Sequence, residues 1–106
     1  TLYWRALSKM ETSYTVFVHL LDEEGRVQSQ RDSIPGNGTL PTTSWLEGEV
    51  IIDDYELSVP AGEYDGEYDI EIGMYQASTG ERLPVYRASG RVAGDRILLE
   101  KVTVSR

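Results

Sequence analysis

Alternation of apolar and polar residues with a period of two is the feature that most constrains how this chain can fold. It is cleanest over residues 66–76, where Tyr68, Ile70, Ile72 and Met74 share one side of an extended chain. No window of the sequence carries the i, i+3, i+4, i+7 apolar stripe of an amphipathic helix. The chain is therefore predicted to be all-β.

Turn-forming residues divide the alternating pattern into about seven predicted strands. These strands cover residues 1–7, 14–21, 26–32, 49–59, 66–76, 81–87 and 96–104. Two four-residue turns, 22–25 and 77–80, end in glycine and predict hairpins, because glycine adopts positive φ without strain. Short strands with frequent turns are typical of a two-sheet antiparallel sandwich, immunoglobulin-like in plan, with a small barrel as the alternative.

Individual segments carry more specific predictions. Residues 14–21 are apolar on both sides, which predicts a central strand. Pro84 restricts its strand to an edge or a bulge, and residues 88–95 are predicted to form a turn-rich crossing. Tyr64 or Tyr68 is expected to tie down the preceding corner through its hydroxyl, as in immunoglobulin-like sandwiches.

The length and the first residues bear on domain organisation. A chain of 106 residues (11.9 kDa) is the size of one domain and buries about two-thirds of its unfolded surface on folding. It begins Thr-Leu-Tyr-Trp, inside a strand pattern and without an initiator methionine. We therefore expect residues 1–106 to be a single β-sandwich domain excised from a longer polypeptide.

Charge argues against some partners and predicts internal pairing. Ten Lys and Arg against eighteen Asp and Glu give a net charge of −8, which repels phosphate and argues against nucleic acid as a partner. Between Arg31 and Arg82 there are many acids but no Lys or Arg, whereas residues 82–106 are basic. Since sheets bring distant segments together, we expect ion pairs between these stretches, with a cation site as the alternative for the acids.

Residues for nucleophilic or metal chemistry are not predicted, and no cofactor is expected. The chain has no cysteine, and its only histidine, His19, is expected to be packed and hydrogen-bonded within its strand. Neither a Gly-x-Ser-x-Gly motif nor a phosphate-binding glycine loop occurs.

The carboxylates offer the remaining route to hydrolysis. Asp53 and Asp54 are adjacent on a strand and are expected to point to opposite faces. Glu67, Asp69 and Glu71 are expected on the solvent face of an amphipathic strand. Neither set predicts the converging pair that glycoside hydrolysis requires.

The long loop within residues 35–52 carries the candidate binding residues. Trp45 lies there with Thr42, Ser44 and Glu47, and an exposed aromatic ring beside such polar groups can stack on a sugar. In the alternative interpretation the Trp45 ring plugs the open end of the sandwich beneath the loop. Burial of the ring decides between the two.

Several phrases of the sequence together resemble one protein family. They are LYWRAL at 2–7, YTVFVHLLD at 14–22, PT at 41–42 leading to Trp45 and GEVI at 48–51, IGMY at 72–75 and TGERLP at 79–84. Nearly the whole chain resembles the carboxyl-terminal β-sandwich domain of large bacterial polytopic membrane proteins. Many of these resemble lipid-carrier-dependent glycosyltransferases of the protein-mannosyltransferase type.

The resemblance implies a context rather than a reaction. It implies a domain on the extracytoplasmic side of the bacterial cell membrane, with the transmembrane portion of its own parent chain as partner. In such proteins the catalytic acids belong to the membrane portion, so the resemblance assigns no catalytic residue to this chain.

Three hypotheses about function follow. The leading one is a non-catalytic accessory domain of a membrane glycosyltransferase-like protein, with glycan binding through the Trp45 loop. The alternative is a structural or protein–protein interaction module of the cell envelope. A stand-alone glycoside hydrolase would need two carboxylates about 5 to 10 Å apart in a cleft.

Overall fold

The computed structural model describes residues 1–59, 66–99 and 101–104 and consists mainly of antiparallel β-strands. The strands are β1 (Leu2–Arg5), β2 (Thr15–Leu21), β3 (Val27–Ser33), β4 (Val50–Asp53), β5 (Gly66–Tyr75), β6 (Val85–Tyr86), β7 (Val92–Gly94), β8 (Ile97–Leu98) and β9 (Val102–Val104). None of the described residues forms a helix that is long and apolar enough to cross a membrane. The prediction of an all-β antiparallel sandwich is confirmed.

The larger sheet has the strand order β3-β2-β5-β8, and β9 also pairs with β5. β2 lies between β3 and β5, as predicted for a strand that is apolar on both sides. The predicted hairpin turn joins β2 to β3, with Gly25 at a φ of 80°. The Asp22 carboxylate accepts hydrogen bonds from the backbone N–H groups of Glu24 and Arg26, which fixes this turn.

Three short segments share the edge of β5 that faces away from β2. β9 pairs with its first residues, β8 pairs with Glu71 and Ile72, and Arg82 forms a bridge with Tyr75. The single strand predicted over residues 96–104 is therefore wrong in detail. Glu71 pairs with Leu98, and Tyr68 pairs with Val102. Tyr68 and Glu71 are three residues apart on β5, whereas Leu98 and Val102 are four residues apart. This difference of one residue shifts the register between β8 and β9 and interrupts the hydrogen-bonded ladder.

The second sheet of the sandwich consists of β1 and β4 and is called the smaller sheet. Its strands are paired from Leu2↔Asp53 to Arg5↔Val50. The strand predicted over residues 49–59 ends at Asp53, because its partner strand begins at Leu2. Alternation sets the two faces of β4 as predicted, with Ile51 buried and Ile52 exposed.

Pro84 explains why the strand predicted over residues 81–87 is reduced. Proline has no N–H to donate, so the pairing with β5 that begins at Arg82 does not continue through it. The chain instead forms β6, which pairs with β7 in the region predicted to be a turn-rich crossing.

The core lies between the two sheets. The larger sheet contributes Val16, Val18, Ile72 and Met74, and these pack with Ala6, Ile51 and Trp45. Of the two tyrosines proposed for the corner, Tyr68 is buried on β5 and Tyr64 lies outside the described residues.

A second packed layer covers the other face of the larger sheet. Phe17 is buried and lies over Gly73, its cross-strand neighbour. A Cβ atom at position 73 would collide with the Cζ atom of Phe17 and lie 3.2 Å from the carbonyl oxygen of Asp95. The guanidinium of Arg82 covers the ring from above, 4.2 Å from its centroid. Glycine is therefore required at this point of the strand by space rather than by φ.

We predict that Gly73→Ala lowers the free energy of unfolding by about 1–3 kcal/mol, because the added methyl displaces the Phe17 ring. Urea denaturation of the single variant measures the loss. In the double variant with Phe17→Leu, the smaller side chain should make the methyl at position 73 less harmful than it is in the parent background. A Gly73→Ala variant as stable as the parent would contradict the close packing.

Candidate functional site

The Trp45 ring lies in the core between the sheets. It is 2% exposed, and its Nε1 donates a hydrogen bond to the carbonyl oxygen of Leu40 at 2.9 Å. This is the arrangement of the second interpretation, in which the ring plugs the sandwich beneath the loop. The enclosed ring offers no face on which a sugar could stack.

The other three candidate residues of the loop do not converge with Trp45 on one surface. Thr42 is fully buried; its Oγ1 donates to the carbonyl oxygen of Thr12 at 2.7 Å and accepts the N–H of Tyr14 at 3.1 Å. Ser44 is exposed and donates to the carbonyl oxygen of Pro41. Glu47 is exposed. Two of the four candidates therefore hold the loop in place, and two face solvent.

Asp53 fixes the beginning of the same loop from the end of β4. Its carboxylate is fully buried and accepts three hydrogen bonds, from the Gly36 N–H at 2.9 Å, the Trp4 Nε1 at 3.1 Å and the Tyr55 hydroxyl at 2.7 Å. Burial and the adjacent Asp53 carboxylate raise the pKa of Tyr55, so its hydroxyl keeps the proton that it donates. Asp54 is exposed and faces the other way, as predicted.

A partly buried polar cluster lies on the outer face of the larger sheet, around His19. Its Nδ1 is 2.8 Å from Glu71 Oε2, and its Nε2 is 3.4 Å from Asp32 Oδ1. The Tyr75 hydroxyl donates to the other oxygen of Asp32 at 2.9 Å. The prediction of a packed, hydrogen-bonded histidine is confirmed.

The prediction that Glu71 lies on a solvent face is wrong, because Glu71 is only 6% exposed. Arg96 from the chain just before β8 donates to its Oε1 at 2.9 Å, and Arg82 lies 3.9 Å away. The predicted row is thus divided: Glu67 is exposed, Asp69 is half-buried and Glu71 is covered.

Ion pairs join the acidic middle of the chain to its basic last quarter, as predicted. Besides Arg96 with Glu71, Lys101 lies 3.2 Å from Asp69. Arg82 also lies 3.5 Å from Asp95. In these contacts the acids pair with basic side chains. Within residues 1–59, 66–99 and 101–104, no group of three or more His, Cys, Asp or Glu side chains could hold a metal ion.

The His19 cluster resembles a proton relay in composition, but its geometry is that of a packed network. A histidine between two carboxylates can move protons only if a reacting group reaches it. Here Glu71 is covered by two arginine side chains, and His19 is itself almost fully buried. Throughout the described part of the chain, every buried side-chain nitrogen and oxygen has a hydrogen-bond partner. The cluster therefore joins distant segments.

Electrostatics keep Glu71 ionised in this network. Burial alone would raise the pKa of its carboxyl. The hydrogen bonds from His19 and Arg96 and the charge of Arg82 outweigh burial, so the pKa lies below its ordinary value of 4.5.

The outer face of the smaller sheet carries a set of exposed apolar side chains, which we call the apolar face. It consists of Tyr3, Val50 and Ile52, which are 69%, 55% and 59% exposed. Tyr3 and Ile52 are direct cross-strand neighbours, and Val50 is two residues from Ile52 on the same side of β4. This surface was not predicted from the sequence, although the run Val50-Ile51-Ile52 indicates a strand that is apolar on both sides.

No match to this chain was found among models of protein families, among curated proteins or among solved structures.

We predict that Glu71→Gln lowers the free energy of unfolding at neutral pH by about 1–3 kcal/mol, because Arg96 and His19 lose a charged partner. A carboxyl with a lowered folded pKa stabilises the fold above its unfolded pKa, and this contribution is lost as the pH falls through the folded value. The difference between parent and variant should therefore shrink on acidification. Urea denaturation at a series of pH values measures it.

The matched control for this experiment is Glu67→Gln, an exposed carboxylate on the same strand. It should leave stability nearly unchanged at every pH. Equal effects of the two substitutions, or a Glu71→Gln deficit that persists unchanged in acid, would contradict a stabilising charge at Glu71.

Proposed function

We propose that this chain is a non-catalytic accessory domain that binds another segment of a longer polypeptide through its apolar face. The observation that carries the proposal is the exposure of Tyr3, Val50 and Ile52 side by side on one surface. Contiguous exposed apolar side chains on a folded domain mark contact sites, whereas single ones do not.

The width of the smaller sheet supports the same surface. It contains only β1 and β4, and among the described residues no third strand pairs with either one. A two-stranded sheet is marginal in isolation and leaves backbone donors and acceptors along its edges. A partner segment that lies against β1 or β4 would pair with these groups and cover the apolar side chains together.

Charge on this surface differs from that of the whole chain. On this surface of the sheet, Arg5 lies at one end of the apolar face and Asp54 at the other. The three side chains of the apolar face are themselves uncharged. The net charge of −8 is therefore carried elsewhere, and the apolar face does not repel a neutral or acidic protein segment.

The resemblance to the β-sandwich domain of bacterial membrane glycosyltransferase-like proteins supports the choice of partner. In that context the partner is the transmembrane portion of the parent chain, on the extracytoplasmic side of the membrane. Glycan binding is not part of the proposal, because it depended on the Trp45 ring, which is enclosed.

Site-specific photo-crosslinking in the full-length polypeptide tests the proposal. A photoreactive phenylalanine analogue replaces Ile52 on the apolar face or, as the control, Val27, which is also an exposed apolar residue but lies on β3. We expect position 52, and not position 27, to crosslink to another segment of the same polypeptide, identified by mass spectrometry. Tyr3→Lys should reduce the crosslink roughly tenfold, as expected for a residue at the centre of an interface.

Two results would contradict the proposal. Equal or absent crosslinking at positions 52 and 27 would show that the apolar face has no preferred partner. Crosslinks that join position 52 only to a second copy of the chain would make the surface a self-association interface instead.

A further inference from the structure

A separate feature of the molecule is a largely apolar cavity between β1 and the larger sheet, which is partly open to solvent. Its volume is ≈ 310 Å³. Nine of its eleven lining residues are Leu, Ile or Val; they include Leu20 and Ile70 from the larger sheet and Leu57 from the segment after β4. The two other lining residues are Thr1 and Tyr55.

The two polar side chains that line the cavity already have partners within the protein. The Thr1 hydroxyl donates to Asp54 at 2.6 Å, and the Tyr55 hydroxyl donates to Asp53 at 2.7 Å. A largely aliphatic cavity whose polar side chains are already paired accepts apolar molecules of matching size.

We propose that this cavity binds a single aliphatic chain. A cavity of about 150 Å³ accommodates the six carbons of benzene, so about twice that volume has room for about twelve carbons. Linear or branched aliphatic groups fit the lining better than flat aromatic ones, because the walls are formed almost wholly by branched aliphatic side chains.

The polar head of such a ligand stays outside the cavity. Inside, it would lose its hydrogen bonds to water without gaining any from Thr1 or Tyr55. The net charge of −8 disfavours an anionic head, so single-chain amphiphiles with a neutral or cationic head are the favoured class.

This site is independent of the apolar face. Alternation along β1 places Leu2 at the cavity and Tyr3 on the opposite surface of the same strand. Failure of one proposal therefore leaves the other standing.

Methyl NMR titration of the 106-residue chain with linear alcohols of six, eight, ten and twelve carbons tests the inference. We expect saturable binding that tightens about fourfold for each added methylene group up to about twelve carbons, the length that fills the cavity. The largest shifts should fall on methyl groups of Leu20, Leu57 and Ile70, and those of Ile51, a core residue that does not line the cavity, should move little.

A variant that fills the cavity sharpens this test. Leu57 is half-buried and lies outside the strands, so Leu57→Trp should fold and should weaken decanol binding at least tenfold. Leu46→Trp, an exposed leucine outside the cavity lining, is the matched control and should bind decanol as the parent does. Affinity that does not depend on chain length, shifts spread over the whole core, or unchanged binding by Leu57→Trp would each overturn the proposal.

Discussion

The buried carboxylate of Asp53 is the point on which three parts of this fold depend. It ends β4, accepts a hydrogen bond from Trp4 on β1, and holds Gly36 at the start of the long loop and Tyr55 on the segment that follows. A carboxylate removed from water is tolerated only when donors surround it, and here three donors do so. The loop thereby starts at a fixed place, which lets it turn back and place Trp45 between the sheets.

The two faces of the larger sheet are covered through different interactions, apolar packing on one face and mainly ion pairs on the other. Toward the smaller sheet, aliphatic side chains pack around Trp45. On the other face, Phe17 is fully enclosed, and Glu71 forms ion pairs with Arg82 and Arg96. The last quarter of the chain is therefore attached mainly by ion pairs and short strand contacts, whereas the central strands are held by apolar burial.

The sequence predicted well what depends on local pattern. The all-β class, the central position of residues 14–21, the β2–β3 hairpin and the inward face of β4 all follow from alternation and glycine turns, and the structure confirms them. Strand ends were predicted less well because they depend on the partner: β4 stops where β1 begins, and β8 and β9 are separated by an offset against β5. Glu71 was misplaced for a related reason, since the arginine that covers it lies 25 residues away in sequence. The sequence did not decide whether the Trp45 ring is buried or exposed. Its position depends on the path of the whole loop, which no local pattern specifies.

The divided edge of β5 has a consequence for how the sheet opens. On its β2 side the strand has one continuous partner, and amide protons there become free only when the two central strands separate. On its other side the described partners are β9, β8 and the bridge at Arg82, and short pairings of this kind open locally at a lower free-energy cost than a long ladder. We therefore expect two regimes of hydrogen exchange in one strand, one set by global unfolding and one set by local openings along the segmented edge. Alternation of fast and slow exchange along β5 would distinguish residues whose N–H groups point to the two sides.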